Sequence, residues 1–318
     1  MFDFLKKGDG ADDAKIVVLK KTERGMCGGT DATLDTAAPD KIESREMTLF
    51  DATSALGGGV CISPEPQTDD HAMDLDYISA FAVPAKRGTF LFLETFEGNR
   101  RYTPGKRAWA LVKEDIFPAL VDLVNECGLA KGNGHHSTTH GLPENFGGSV
   151  RILYASGEKI SFSNNQSPII APPVAKKIAK LFCGAMAGER VALPDVAKLK
   201  QIRFSEERGD DGYTRAALTL EPDGTGTNRK ESKYEDSVVY NSEKPVDAET
   251  VNAIKKNIEN TGILAWEDLP WSGFSLSEKE IVFVFEGGEE IAVKGDRVLP
   301  MQIGGGFFNI ELEMTTKH

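Results

Sequence analysis

Three of the chain's five histidines fall within eight residues, GHHSTTHG (134–141): His135, His136 and His140. Neutral imidazoles bind zinc, nickel or copper, so a divalent metal ion is the cofactor this stretch could hold. His136 and His140 are four apart, which on a helix would set both on one face. Ser137, Thr138 and Thr139 between them, with Gly134 and Gly141 around, read instead as a loop. No glutamate stands between the histidines as in the zinc-protease arrangement. Structural zinc normally shows four spaced ligands, and further ligands (His71, Asp69, Asp70 or Glu144) would have to come from proximity that spacing does not establish. A second candidate is RRYTPGKR (100–107), where Thr103-Pro104-Gly105-Lys106 fits a type II turn. Arg100, Arg101, Lys106 and Arg107 around it could hold a phosphate or a partner's carboxylate by bidentate contacts. The same residues also read as a solvated hairpin tip, since isolated surface charges signify little.

Other catalytic patterns are missing from the sequence. The glycine clusters CGGT (27–30), LGGGV (56–60) and IGGGF (303–307) lack the flanking strand, helix and Gly-Lys-Ser/Thr of a phosphate loop. They read as turns. There is no GxSxG, and none of Cys27, Cys61, Cys127 and Cys183 has an evident histidine partner or a CxxC spacing. Cys127 and Cys183 end helical patterns, so buried reduced thiols are expected.

The elements that must position these residues repeat. KEDIFPALVDLVNECGLAKGNG (113–134) answers VDAETVNAIKKNIENTGILAWEDLP (246–270), and GGSVRILYASGEKISFSNNQSPII (147–170) answers SEKEIVFVFEGGEEIAVKGDRVLPM (277–301). Gly128 matches Gly262 and Gly157 matches Gly288. Order and spacing agree, which marks an internal repeat. In the second copy Asp247 is an N-cap, Val246 can staple onto Val251, and Val251, Ile254 and Ile258 form one helix face that Gly262 ends. In the first, Asp115 caps and Ile116, Leu120, Val121 and Val124 form the stripe. An alternating hairpin follows each helix, turning at Ser156-Gly157 and at Gly287-Gly288. Upstream, YISAFAVPAKRGTFLFLETFEGN (77–99) is set against LKQIRFSEERGDDGYTRAALTLEPDG (199–224), with 227–241 as a third strand of the second copy. APPVAKKIAKLFCG (171–184) adds a second helix to the first copy. Its counterpart GGGFFNIELEMTTKH alternates like a strand, and whether it keeps the helix is open.

The expected fold class is α+β, with two related modules, each an antiparallel sheet packed against one or two helices. Residues 1–14 read as a mobile tail, 15–193 as the first module with an N-terminal extension, and 194–318 as the second, joined through 188–197. Residues 15–75 have no evident counterpart and should extend the first sheet. The repeat also offers a control for the histidines. The same helix-to-strand loop in the second copy carries Trp266, Trp271 and Phe274 and no histidine, so GHHSTTHG reads as a divergent covering loop. PENFGGS (143–149) and SNNQSP (163–168) make the first hairpin's surroundings polar, and a site would sit there.

The length of 318 residues allows a sizeable core, and a net charge of −12 disfavours nucleic acid or an anionic membrane as partner. No apolar run approaches the ~20 residues of a membrane span, and the charged N-terminus lacks a signal peptide's apolar stretch. A cytoplasmic protein is expected. The stretches GLPENFGGSVRILYASGEKISFSNNQSP and YEDSVVYNSEKPVDAETVNAIKKNIENTGILAWEDLP resemble proteins of gut Firmicutes over roughly the last two thirds of the chain. The resemblance implies a bacterial origin and an α+β fold, and it carries no functional residues. The expected function is that of a non-enzymatic binding or interaction protein, taking an unidentified protein or small ligand. The alternative is a metal-dependent enzyme or metal-binding protein centred on His135, His136 and His140.

Overall fold

The computed structural model describes residues 30–34, 46–56, 75–97, 106–140, 147–209, 212–234, 237–270, 278–295, 297, 299 and 301–315. The expected tail (1–14), Cys27, Cys61, Arg100 and Arg101 lie outside the described residues, as do Trp271 and Phe274.

The fold is α+β, built among the described residues from two sheets and four helices. Four antiparallel strands open the first module: β2 (Met47–Ala55), β3 (Leu75–Ala85), β4 (Gly88–Glu97) and β5 (Lys106–Val112). Helix α1 (Phe117–Glu126) follows, then a 3₁₀ turn (Leu129–Gly132), β7 (Gly148–Tyr154), β8 (Lys159–Asn164) and helix α2 (Pro172–Met186). The second module repeats this order with β9 (Leu199–Glu207), β10 (Gly212–Leu220), β11 (Gly226–Tyr234), β12 (Tyr240–Val246), α3 (Ala248–Thr261), a 3₁₀ turn (Ile263–Asp268), β13 (Glu278–Phe285), β14 (Glu290–Lys294) and α4 (Met301–Thr315). The first sheet runs β8-β7-β2-β3-β4-β5 and the second β14-β13-β9-β10-β11-β12, the same spatial order. The first is extended beyond β8 by β6 (His135–Thr139) and β1 (Thr30–Leu34).

Two features of the repeat differ from the sequence reading, and a third resolves a point it left open. β2 occupies the place of β9, so residues 47–55 do have a counterpart, and the upstream strands are offset by one from the expected pairing. The second copy has four strands before its helix, because 226–246 folds as β11 and β12. The C-terminal segment is a helix: Ile303, Phe307, Ile310 and Met314 are buried at helical spacing. Its glycines obscure that pattern, but Gly306 serves it. A Cβ at Gly306 would stand 2.6 Å from Thr261 Cγ2, so glycine is what lets α4 approach α3. Asn257 Nδ2 donates to the Gly306 carbonyl at 3.0 Å across that contact.

Local signals built the helices as expected. Asp247 Oδ1 accepts from Thr250 N at 2.7 Å, Val246 and Val251 are both buried, and Gly262 ends α3 at φ 64°. Asp115 Oδ1 accepts from Phe117 N at 3.0 Å, although the residue at the cap position itself is Ile116. Cys127 is half-buried and its thiol pKa is raised by burial, with Lys177 opposing. Cys183 is exposed, contrary to the expected buried thiol, because it falls on the outer side of α2.

Two apolar cores result. One lies between α1, α2 and the inner face of the first sheet. The other joins the modules: Leu49, Phe81, Phe90, Phe92 and Leu111 from the outer face of the first sheet pack with Ile258, Ile263, Leu264 and Trp266 and with the inner face of the second sheet. The layers therefore stack as helices, sheet, helices, sheet. Residues 188–197 are pinned rather than loose, since Lys113 N donates to Glu189 O and Val191 N donates to Leu111 O along the edge of β5.

Candidate binding face

The histidines lie on a strand. GHHSTTHG supplies β6, which pairs antiparallel with β1 and meets β8 through His136 and Ser163 in parallel. A sequence so rich in Ser, Thr and His reads as loop, but the backbone of β1 and β8 on either side recruits it into the sheet. Adjacent strand residues project to opposite faces, so His135 and His136 diverge, and His140 lies beyond the end of the strand. His136 Nδ1 shares a hydrogen bond with Ser163 Oγ at 2.9 Å, and His135 and His140 are exposed. Among the described residues no group of three or more His, Cys, Asp or Glu side chains is placed to hold a metal ion.

The polar loop beside it is structural stitching. Asn165 Oδ1 accepts from Thr139 N and Asn165 Nδ2 donates to Thr139 O, each at 2.8 Å. Asn164 Oδ1 accepts from Gln166 N and Ser167 N, an Asx turn. Gly147 and Gly148 leave no room for a Cβ against the backbones of Asn164 and Thr53. Of the basic turn, Lys106 opens β5, and Arg107 reaches the buried Glu94 at 2.6 Å while lying over Phe92. Arg107 thus neutralises a buried carboxylate rather than standing ready for an anion.

The face with room for a partner is the outer side of the second sheet, facing away from α3 and α4. It is concave, and it holds a cleft of about 1130 Å³. Strand alternation places Glu243, Arg229, Ala217, Arg203, Val282 and Ala292 side by side across it, following the registers of β12 through β14. The next row is Asn241, Glu231, Arg215, Ser205 and Glu280. Small side chains (Ala217, Ser205, Ala292) make the floor. Each arginine has a glutamate: Arg203 to Glu290 at 2.6 Å, Arg215 to Glu207 at 2.9 Å, and Arg229 to Glu243 at 2.9 Å. All six side chains are 44% exposed or more, so each pair contributes little to stability and can exchange partners at little cost. Arg215 lies over Tyr213, whose pKa is raised chiefly by its hydrogen bond to Glu231.

The repeat shows what this face has lost. The hairpin bonds Tyr154 N to Glu158 O and Phe285 N to Glu289 O align the two sheets. Following the ladders from there, Trp109 corresponds to Glu243, Phe92 to Arg229, Phe81 to Ala217 and Asp51 to Arg203. In the first sheet these positions carry the second module, whereas in the second they are open. The sequence pattern gave no warning, because an outward-facing Arg or Glu on one strand looks like any solvated position. Only the registers bring Arg203, Arg215 and Arg229 together. No known family model matches the chain, and no curated protein matches it.

Proposed function

We propose that this chain is a non-catalytic binding protein that takes its partner on the outer face of the second sheet. The observation that carries the reading is the contrast between two equivalent faces. One is aromatic and covered by the chain's own helices. The other is concave, floored by small residues and lined with exchangeable Arg–Glu pairs. Sheet faces of this kind suit a polypeptide or a polar ligand better than nucleic acid, given the net charge of −12. No helix among the described residues is long and apolar enough to cross a membrane. A cytoplasmic setting accords with the free thiols of Cys127 and Cys183.

The test is a screen of charged peptides and small polar metabolites, with each hit mapped by amide hydrogen exchange. The expected result is protection confined to β9–β13, lost in the Arg203→Glu/Arg229→Glu variant. Protection mapping to β6, or a turnover abolished by replacing His135, His136 and His140, would overturn the reading in favour of the metal-dependent alternative.

A further inference from the structure

We infer that the partner of the open face is a second copy of this chain, seated by its first helical layer in the way the second module sits on the first. The inference rests on the reading above and names its occupant. Within one chain the contact is head-to-tail: the outer face of one sheet receives the end of the next module's helix and its 3₁₀ turn. At the β5 edge of this contact the Trp109 Nε1 donates to the Glu259 carbonyl at 2.7 Å, and the indole ring lies so close over Gly262 that a Cβ there would strike it.

The same operation applied between molecules uses surfaces that both exist. The outer face of the second sheet is open, and the equivalent helix end is the C-terminus of α1 with Gly128 and Lys131. Gly128 matches Gly262 in its left-handed conformation, φ 66° against 64°. Trp109 corresponds to Glu243, so the carboxylate of Glu243 takes the indole's place opposite Gly128. The side chain that lies over Gly128 is Lys131, whose Cδ and Cε come within 3.5 Å of where a Cβ would stand. A tryptophan-on-glycine contact inside the chain thus becomes a glutamate-to-lysine contact between chains. Lys131 is exposed, and Glu243 is 57% exposed and paired with the solvated Arg229, a surface pair that can exchange partners at little cost. Further along the same helical layer, Lys180 is exposed, while the cleft is lined by Glu231, Glu243, Glu267, Glu280 and Glu290. A head-to-tail contact of this kind does not close on itself, so it builds short open chains rather than a symmetric dimer. Being electrostatic, it weakens with salt.

The experiment is light scattering coupled to size exclusion, over a concentration series at low and high salt, on the full chain. The wild type should show a mass that climbs with concentration past two copies at low salt and falls to one copy at high salt. Lys131→Glu and Glu243→Lys, each alone, should remain monomeric, and the double swap should recover association. Far-ultraviolet melting curves of all four proteins should coincide, since both positions are solvent-exposed. A wild type that is monomeric at every concentration, association that both single variants retain, or a double variant that fails to recover would overturn the inference. A monomeric wild type that still binds a peptide on β9–β13 would leave the broader reading standing and remove only the second copy.

Discussion

Asp51 shows how much a single position can depend on where the fold places it. It stands on the outer face of the first sheet, beside Phe81 on β3 and Arg151 on β7. Burial pushes its pKa up to about 6, against the pull of Arg151 toward the ionised form. The folded chain therefore holds the proton more tightly than the unfolded chain does. The stabilising contribution is full below the unfolded value near 3.8, and it is lost as pH rises through about 6. Asp51→Asn should flatten the stability profile between pH 4 and 6 and leave the protein more stable at pH 7.5. The gain is bounded by about 3 kcal/mol for a shift near two units. Urea titrations at several pH values check it, and an unchanged slope in the variant would assign the pH dependence elsewhere. At this scale the caps were legible: Asp247 and Gly262 act through bonds within a few residues of themselves. Asp51 and Arg203 were not, because their roles come from neighbours on other strands and, for Asp51, from a layer supplied by the other module.

Helix α4 and strand β6 are the elements whose sequences mislead, for opposite reasons. Three consecutive glycines hide the helical spacing of Ile303, Phe307, Ile310 and Met314, yet the packing against α3 and the second sheet holds the helix. In β6, polar residues without apolar alternation are held by the ladders on both sides. Tertiary context overrides local propensity in both. The glycines of α4 should differ when tested one at a time. Gly304 and Gly305 have nothing within 4 Å of a Cβ position, so Gly304→Ala and Gly305→Ala should each stabilise by about 0.5–1 kcal/mol through helix propensity alone. Gly306→Ala drives a methyl into Thr261 and should destabilise by about 1–3 kcal/mol. Thermal melts rank the three, and a stabilising Gly306→Ala would mean that α4 does not press on α3 as described. The repeat itself was legible at this scale, because helix, turn and hairpin recur in order. The offset of the upstream strands was not, since β-strands of similar alternation can be set against each other in more than one way until the register is known.

For the whole molecule, the layered stack means that the two modules share the core between them. Arg87 on the β3–β4 turn reaches the buried Asp268 at 2.5 Å, and the Lys86 amide donates to the Asp268 carbonyl, tying the turn of one module to the other. Arg87→Ala leaves a buried carboxylate without its cation and should cost about 1–3 kcal/mol, read in a denaturant titration. Because Phe81, Phe90, Phe92 and Leu111 pack into one core with the second module, neither module can expose its side of the interface without loss, and unfolding should be a single transition. The second sheet carries its own counter-example: its face bears charges at the same positions and stands open. Transplanting one of those charges should therefore convert the first face toward the second. Trp109→Glu, which places in the first sheet the residue found at the equivalent position of the second, removes the indole from Gly262 and its bond to the Glu259 carbonyl. It also sets a carboxylate beside Phe92 and Phe90. The expected result is a loss of about 3–5 kcal/mol and calorimetry that resolves two transitions where the wild type shows one. Protease cleavage within 188–197 should appear before global unfolding, because those residues are held against β5 only while the layers stay together. If Trp109→Glu instead melts in one sharp step with that segment still protected, the modules are coupled by the linker and the ion pair rather than by the aromatic face. The charged face of the second sheet would then be a neutral variation on the repeat and not the reason it remains open.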